Sequence, residues 1–207
     1  MELTPFLLAS LVGFSHAFEA DHLVAVSTIV TKRNNFLLAI KDGIFWGLGH
    51  TSTILLVGCI FIAGRLALHQ NSFHYLEAMV GMMLIILGIY RLNNLTKNRF
   101  NTHSHAHRAS KHEHKLAYGV GLVHGLAGSG ALILSVLTTI KGVMSSLIYL
   151  LIFGIGSIGG MMLAAGIFSL PFSEKIIQNH AVRKIMTIVS ALFCISLGIL
   201  VIYQNLK

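Results

Sequence analysis

The chain is 207 residues long, 55% hydrophobic and only 11% charged, with a mean hydropathy of +0.77. Apolar runs of 18 or more residues recur along its whole length, which excludes an ordinary water-soluble domain and marks an integral membrane protein. The net charge of +8 requires no nucleic-acid partner, because membrane topology and contact with anionic lipid account for it.

Backbone polar groups in lipid must be satisfied within the protein, so only helices and closed barrels span a membrane. Continuous apolar runs, rather than alternation with period two, select helices, and the expected fold class is all-α and polytopic. Six transmembrane helices are predicted, at roughly 5–30, 42–64, 73–92, 117–140, 143–170 and 183–203, each near or above the ~20 residues a bilayer requires.

The first span opens on Thr4-Pro5, a helix-start signal, and Glu2 rather than a basic region precedes it, so a cleaved signal peptide is not expected. Near its middle it carries HAFEADH, residues 16–22. A charge at the bilayer centre costs about 2.5–3.5 kcal/mol, so Glu19 and Asp21 need partners. At ~100° per residue, His16, Glu19 and His22 share one face of a straight helix within an arc of roughly 120°. Asp21 points elsewhere, which leaves two roles open: a partner that orients an imidazole, or a ligand made available by local unwinding.

The second span contributes His50 within GLGHTST, followed by the hydroxyls of Thr51, Ser52 and Thr53. Between spans three and four lies NTHSHAHRASKHEHK, with His103, His105, His107, His112 and His114. This polar tract is expected to hold divalent metals loosely, by proximity. It lies outside the apolar region and lacks a rigid frame, so it is not the selective site. The fourth span contributes His124, and glycine crowds spans four and five, with Gly121/Gly125 and Gly156/Gly160 at the GxxxG spacing that lets backbones approach closely. Cys59 and Cys194 form no CxxC and do not match under the internal repeat described below, so both read as small buried hydrophobes.

Four imidazoles and two carboxylates therefore converge on the apolar region: His16, Glu19, Asp21, His22, His50 and His124. This borderline-to-hard nitrogen and oxygen set suits Ni²⁺, Co²⁺, Zn²⁺ or Fe²⁺, and the lack of a cysteine among them argues against Cu(I). The competing explanation is a hydrogen-bonded network that merely fixes helix register.

Basic residues set the orientation. Twelve of the fifteen, including Lys32, Arg33, Arg91, Lys115 and Lys184, fall in or beside the loops after spans one, three and five, and only Arg65, Lys141 and Lys207 fall on the other side. Under the positive-inside rule both termini lie outside the cytoplasm. The halves also match in order: Gly13–His16 with Gly121–His124, Gly47–Gly49 with Gly154–Gly156, and Leu87–Ile89 with Leu197–Ile199, at offsets of 108, 107 and 110. Three spans per unit invert the second copy, giving a 3+3 inverted repeat, a plan that places sites at the midplane between repeats. The expected organisation is a first repeat over 1–92, a His-rich cytoplasmic loop over 93–116 and a second repeat over 117–207.

HAFEADH fits the H-x4-D-H signature of the nickel/cobalt transporter superfamily, and LGHTST resembles its second signature. Together with GLVHGLAGSGA, the sequence is most similar to the short urease-accessory-type nickel permeases of that superfamily, over spans one to five. The resemblance implies metal recognition by His16, Asp21 and His22, faced by His50. Larger members have eight spans with the signature in the second, whereas this chain has it in the first of six.

The expected function is thus a secondary transporter, not an enzyme, moving Ni²⁺ or Co²⁺ inward across the cytoplasmic membrane, with Glu19 or Asp21 neutralising the cation. No cofactor is expected to be tightly bound; the partners are the metal ion and the bilayer, and a homo-oligomer is left open. No P-loop is present, so membrane potential and a proton cycle are the candidate driving forces. The alternatives are efflux by the same architecture, an intramembrane metalloenzyme, disfavoured by the lack of HExxH, and a small-anion permease, disfavoured by the acidic groups.

Overall fold

The structure, a computed structural model, describes residues 4–30, 35–64, 71–97, 114–126, 136, 140, 142–170 and 180–207. Among these residues there are helices and no strands: α1 (Thr4–His16), α2 (Ala20–Val30), α3 (Phe36–Gly64), α4 (Asn71–Lys97), α5 (114–126), α6 (Val143–Ser169) and α7 (His180–Asn205). Stretches within α3, α4, α6 and α7 are long and apolar enough to cross a bilayer. The protein is an all-α membrane protein. Large apolar side chains such as Leu56, Ile86, Ile155 and Phe193 remain exposed on the outer faces of these helices, where lipid is their natural solvent.

The single helix expected over 5–30 is instead two. α1 and α2, of 13 and 11 residues, are each too short to span and are separated by a turn at residues 17–19. There the Phe18 N–H donates to Ser15 O at 2.9 Å and the Glu19 N–H to His16 O at 3.1 Å, the tightened bonding of a helix end, before Leu23 resumes helical bonding to Glu19 O. No proline or glycine forces this break. It falls where four polar side chains crowd into seven residues, and turning the chain lets them address different partners.

α3 runs antiparallel to α6 and α4 antiparallel to α7, whereas α1 runs alongside α6, and α2 fills the space between α3, α4, α6 and α7. The backbones meet at glycines. Gly13 packs on the Phe153 carbonyl, and Gly121 on that of Trp46; Gly49 packs on Tyr118, and Gly156 on Ser10. Each pair becomes the other when its residues are exchanged between halves at a shift of 107 or 108. Gly88 against Ala191 and Gly198 against Gly81 exchange in the same way at 110. A Cβ at any of these glycines would collide with the facing main chain, so the small residues set helix separation, as the GxxxG spacing predicts.

Three placements correct the sequence reading. Arg91, counted among loop cations, is 1% exposed within α4 and donates from Nη2 to Ile29 O at 3.0 Å, satisfying a carbonyl at the C-terminal end of α2. His114, expected in the solvated tract, stands on α5 and pairs with Asp42. Cys194 is buried and donates to Leu84 O at 3.3 Å, but Cys59 is exposed rather than buried, on an outward face of α3.

Candidate metal site

The break between α1 and α2 builds the site. His16 ends α1, and Asp21 and His22 open α2, so the turn brings these side chains together from two helices rather than along one face. His50 stands at the middle of α3, fourteen residues from either end, or about 21 Å at 1.5 Å per residue. Gly125 packs directly on the His50 backbone, and this close approach of α5 to α3 carries His124, one residue away, to the same place.

Four rings cluster here. Centroids of His16 and His22 lie 4.6 Å apart, His22 and His124 4.5 Å, and His50 is 5.3 Å from both His16 and His22. The ligand atoms form two triads sharing His22: one of His16, His22 and His50, the other of Asp21, His22 and His124, with the atoms of each within 4.8 Å of one another. Bonds of about 2.0–2.1 Å around one cation separate neighbouring ligand atoms by about 3–4 Å, so small side-chain rotations close either triad.

Carboxylates orient the rings. Glu19 Oε1 lies 2.8 Å from His16 Nδ1, which points the other nitrogen of that ring inward. Asp21 Oδ1 accepts from the His22 backbone N–H at 2.9 Å and lies 3.1 Å from His22 Nδ1, while Oδ2 faces His124 Nε2 at 3.5 Å. Asp21 thus serves an orienting role and also stands within the second triad, made available by the break. Glu19, with 58% of its side chain exposed, belongs to neither triad.

The remaining nitrogens are unspent. His16 Nε2, His22 Nε2, both ring nitrogens of His50 and His124 Nδ1 are buried with no hydrogen-bond partner, while His124 Nε2 faces the Asp21 carboxylate. A network serving only to lock helix register would satisfy itself, since a buried polar atom without a partner costs about 1–3 kcal/mol. Imidazole nitrogens held apart from hydrogen-bond partners around a common centre are instead suited to a cation.

Sequence reasoning missed the aromatic walls. Trp46 stacks on His22 at 5.5 Å and lies 5.6 Å from His124, while Phe153 lies 5.6 Å from His16. Trp46 stands one turn before His50 on α3, and that spacing was the available signal. Asp42 and Glu77 were also missed, although each is an acid inside or at the edge of an apolar run, a feature that is itself informative. Of the histidine tract, His103, His105, His107 and His112 lie outside the described residues.

No family model matches the chain, and no solved structure matches it. A curated relative does: urease accessory protein UreH of Bacillus sp. (strain TB-90), 33% identical over 202 residues, covering 92% of this chain and 89% of the relative. Identity at that level, over almost the full length of both chains, places the present chain in the UreH family, the short branch of the nickel/cobalt transporter superfamily that its histidine signatures resemble.

Proposed function

We propose that the protein is a permease that carries a divalent transition-metal cation, nickel or cobalt, inward across the cytoplasmic membrane. The observation that carries this reading is the set of unpartnered imidazole nitrogens gathered from α1, α2, α3 and α5 at mid-helix depth. His16, His22, His50 and His124 bind the cation, Asp21 neutralises part of its charge, and Glu19 holds His16 in place. Membership of the UreH family supports transport over catalysis.

The architecture in this proposal is six spans, with α1 and α2 together forming the first, arranged as a 3+3 inverted repeat. Its support is the exchange of glycine contacts between halves, together with the alternating directions of the packed helices. The pseudo-twofold axis then relates His16 to His124 and Trp46 to Phe153. Both termini lie outside the cytoplasm under the positive-inside rule. A cation moving inward gains about 2.3 kcal/mol per charge per 100 mV.

Binding of nickel, cobalt and zinc to purified wild type and His16→Ala tests the site. The expected result is a strong loss of nickel and cobalt affinity in the variant; equal affinity in both proteins moves the site elsewhere. Direction is read in cells with and without the protein. Import raises metal content and metal sensitivity together, whereas efflux lowers both.

A further inference from the structure

The cavity in front of the imidazoles, about 300 Å³, does not end at them. Its deep wall is Asp21, His22 and His124, and its outer wall belongs to α4 and α7, neither of which carries a proposed ligand. Glu77 and Val80 stand at i and i+3 on α4, and Val201, Gln204 and Asn205 at i, i+3 and i+4 on α7, so one face of each helix lines the space. One turn deeper the two helices close on each other at Gly81 and Gly198. At the rim His74 Nδ1 and Asn205 Oδ1 meet at 3.2 Å and tie the N-terminal end of α4 to the C-terminal end of α7.

Glu77 is the unexplained group in this wall. It lies within the apolar stretch His74–Leu95, is partly buried, and receives no hydrogen bond or ion pair from any described residue. Ionisable residues within apolar membrane helices that face a cavity mark ion paths, and Glu77 faces this one. Glu19, more than half exposed, lines the same cavity. The two carboxylates share it with the unpartnered Nε2 atom of His22, a residue 1% exposed.

We propose that Glu77, together with Glu19, forms an outer collecting site that holds a hydrated divalent cation before it sheds water to the imidazoles. The inference rests on the transport reading and extends it to a residue outside the histidine signatures. A cation with six waters needs about 180 Å³ at ~30 Å³ per water, which the cavity accommodates. Carboxylate and amide oxygens, here Glu77, Glu19 and Gln204, suit a cation that still carries water, whereas imidazoles suit one that has lost it. The cavity lies toward the ends of α4 and α7 that the topology assigns to the outside, which fits capture before inward transfer.

Initial rates of Ni²⁺ uptake against concentration, normalised to protein in the membrane, test this with the full chain as wild type, Glu77→Gln and Glu77→Asp. Removing a fixed charge from a focusing cleft is expected to raise KM about tenfold with a much smaller change in Vmax, and Glu77→Asp should recover most of the loss. Added salt should raise KM more steeply in wild type than in Glu77→Gln, because screening acts on the charge that the variant lacks. An unchanged KM in Glu77→Gln, or a fall in Vmax alone that Glu77→Asp does not repair, overturns the collecting site and leaves the transport reading standing. Wild-type protein that neither binds nor takes up Ni²⁺ overturns both.

Discussion

Two groups of histidine and carboxylate lie on the seam between α3 and α5, about 12 Å apart along α3, and they use their hydrogen-bonding capacity in opposite ways. Near the N-terminal end of α3, Asp42 is 1% exposed and meets His114 Nδ1 at 2.6 Å, with Phe45 stacked on the His114 ring at 5.1 Å. At the centre of α3, His50 is wholly buried and neither ring nitrogen has a partner. The first group is closed, a staple between two helices. The second is held open by carboxylates that hold His16 and His22 by one nitrogen and leave the other facing inward. Burial of polar groups alone does not separate a structural pair from a binding site; what separates them is whether the buried atoms are spent on each other.

The two triads overlap at a single residue. His22 belongs to both, so His22→Ala is expected to lower nickel affinity a hundredfold or more, out of proportion to the modest loss of thermal stability from emptying a buried place against Trp46, as titration calorimetry and a melt in the same detergent would show. A loss below tenfold would mean that the triads do not act as one centre. At the closed pair the pattern should reverse. Asp42→Ala leaves a buried imidazole without its carboxylate and is expected to cost about 3 kcal/mol in denaturant unfolding, with nickel affinity within a fewfold of wild type. Equal damage to affinity would erase the distinction between the two groups. The smallest effect is expected at Glu19→Gln, which keeps a hydrogen-bonding group beside His16 but weakens its hold. Affinity should fall by about tenfold or less, in the range typical of groups that orient a ligand. A larger fall would make Glu19 a direct ligand of the dehydrated cation, beside the imidazoles, rather than a group that orients His16 and meets the ion only through its water.

Much of this was legible in the sequence because it rests on local composition. Apolar length identifies membrane helices, and glycines at fixed spacing identify the close seams, where Gly121 meets Trp46 and Gly156 meets Ser10. The histidines of HAFEADH, LGHTST and GLVHGLAG stood out because polar groups in lipid are rare, and the structure does gather His16, His22, His50 and His124. Helical periodicity, however, assumes a straight helix. It placed Glu19 on the metal face and Asp21 off it, whereas the turn at residues 17–19 brings Asp21 into a triad and leaves Glu19 at the edge. His114 was misplaced for a similar reason: its run of histidines reads as solvated loop, whereas the fold sets it against Asp42, seventy-two residues away in sequence.

Sequence alone determined that this chain lives in a bilayer as helices, and which side chains are too costly to be there without purpose, since transfer energies depend on residue type and run length. The fold decided which of those side chains meet. Convergence of α1, α2, α3 and α5 on one point, the unspent imidazole nitrogens, and a cavity lined by Glu77 all depend on distances between segments far apart in sequence, which helix packing sets and local periodicity does not encode.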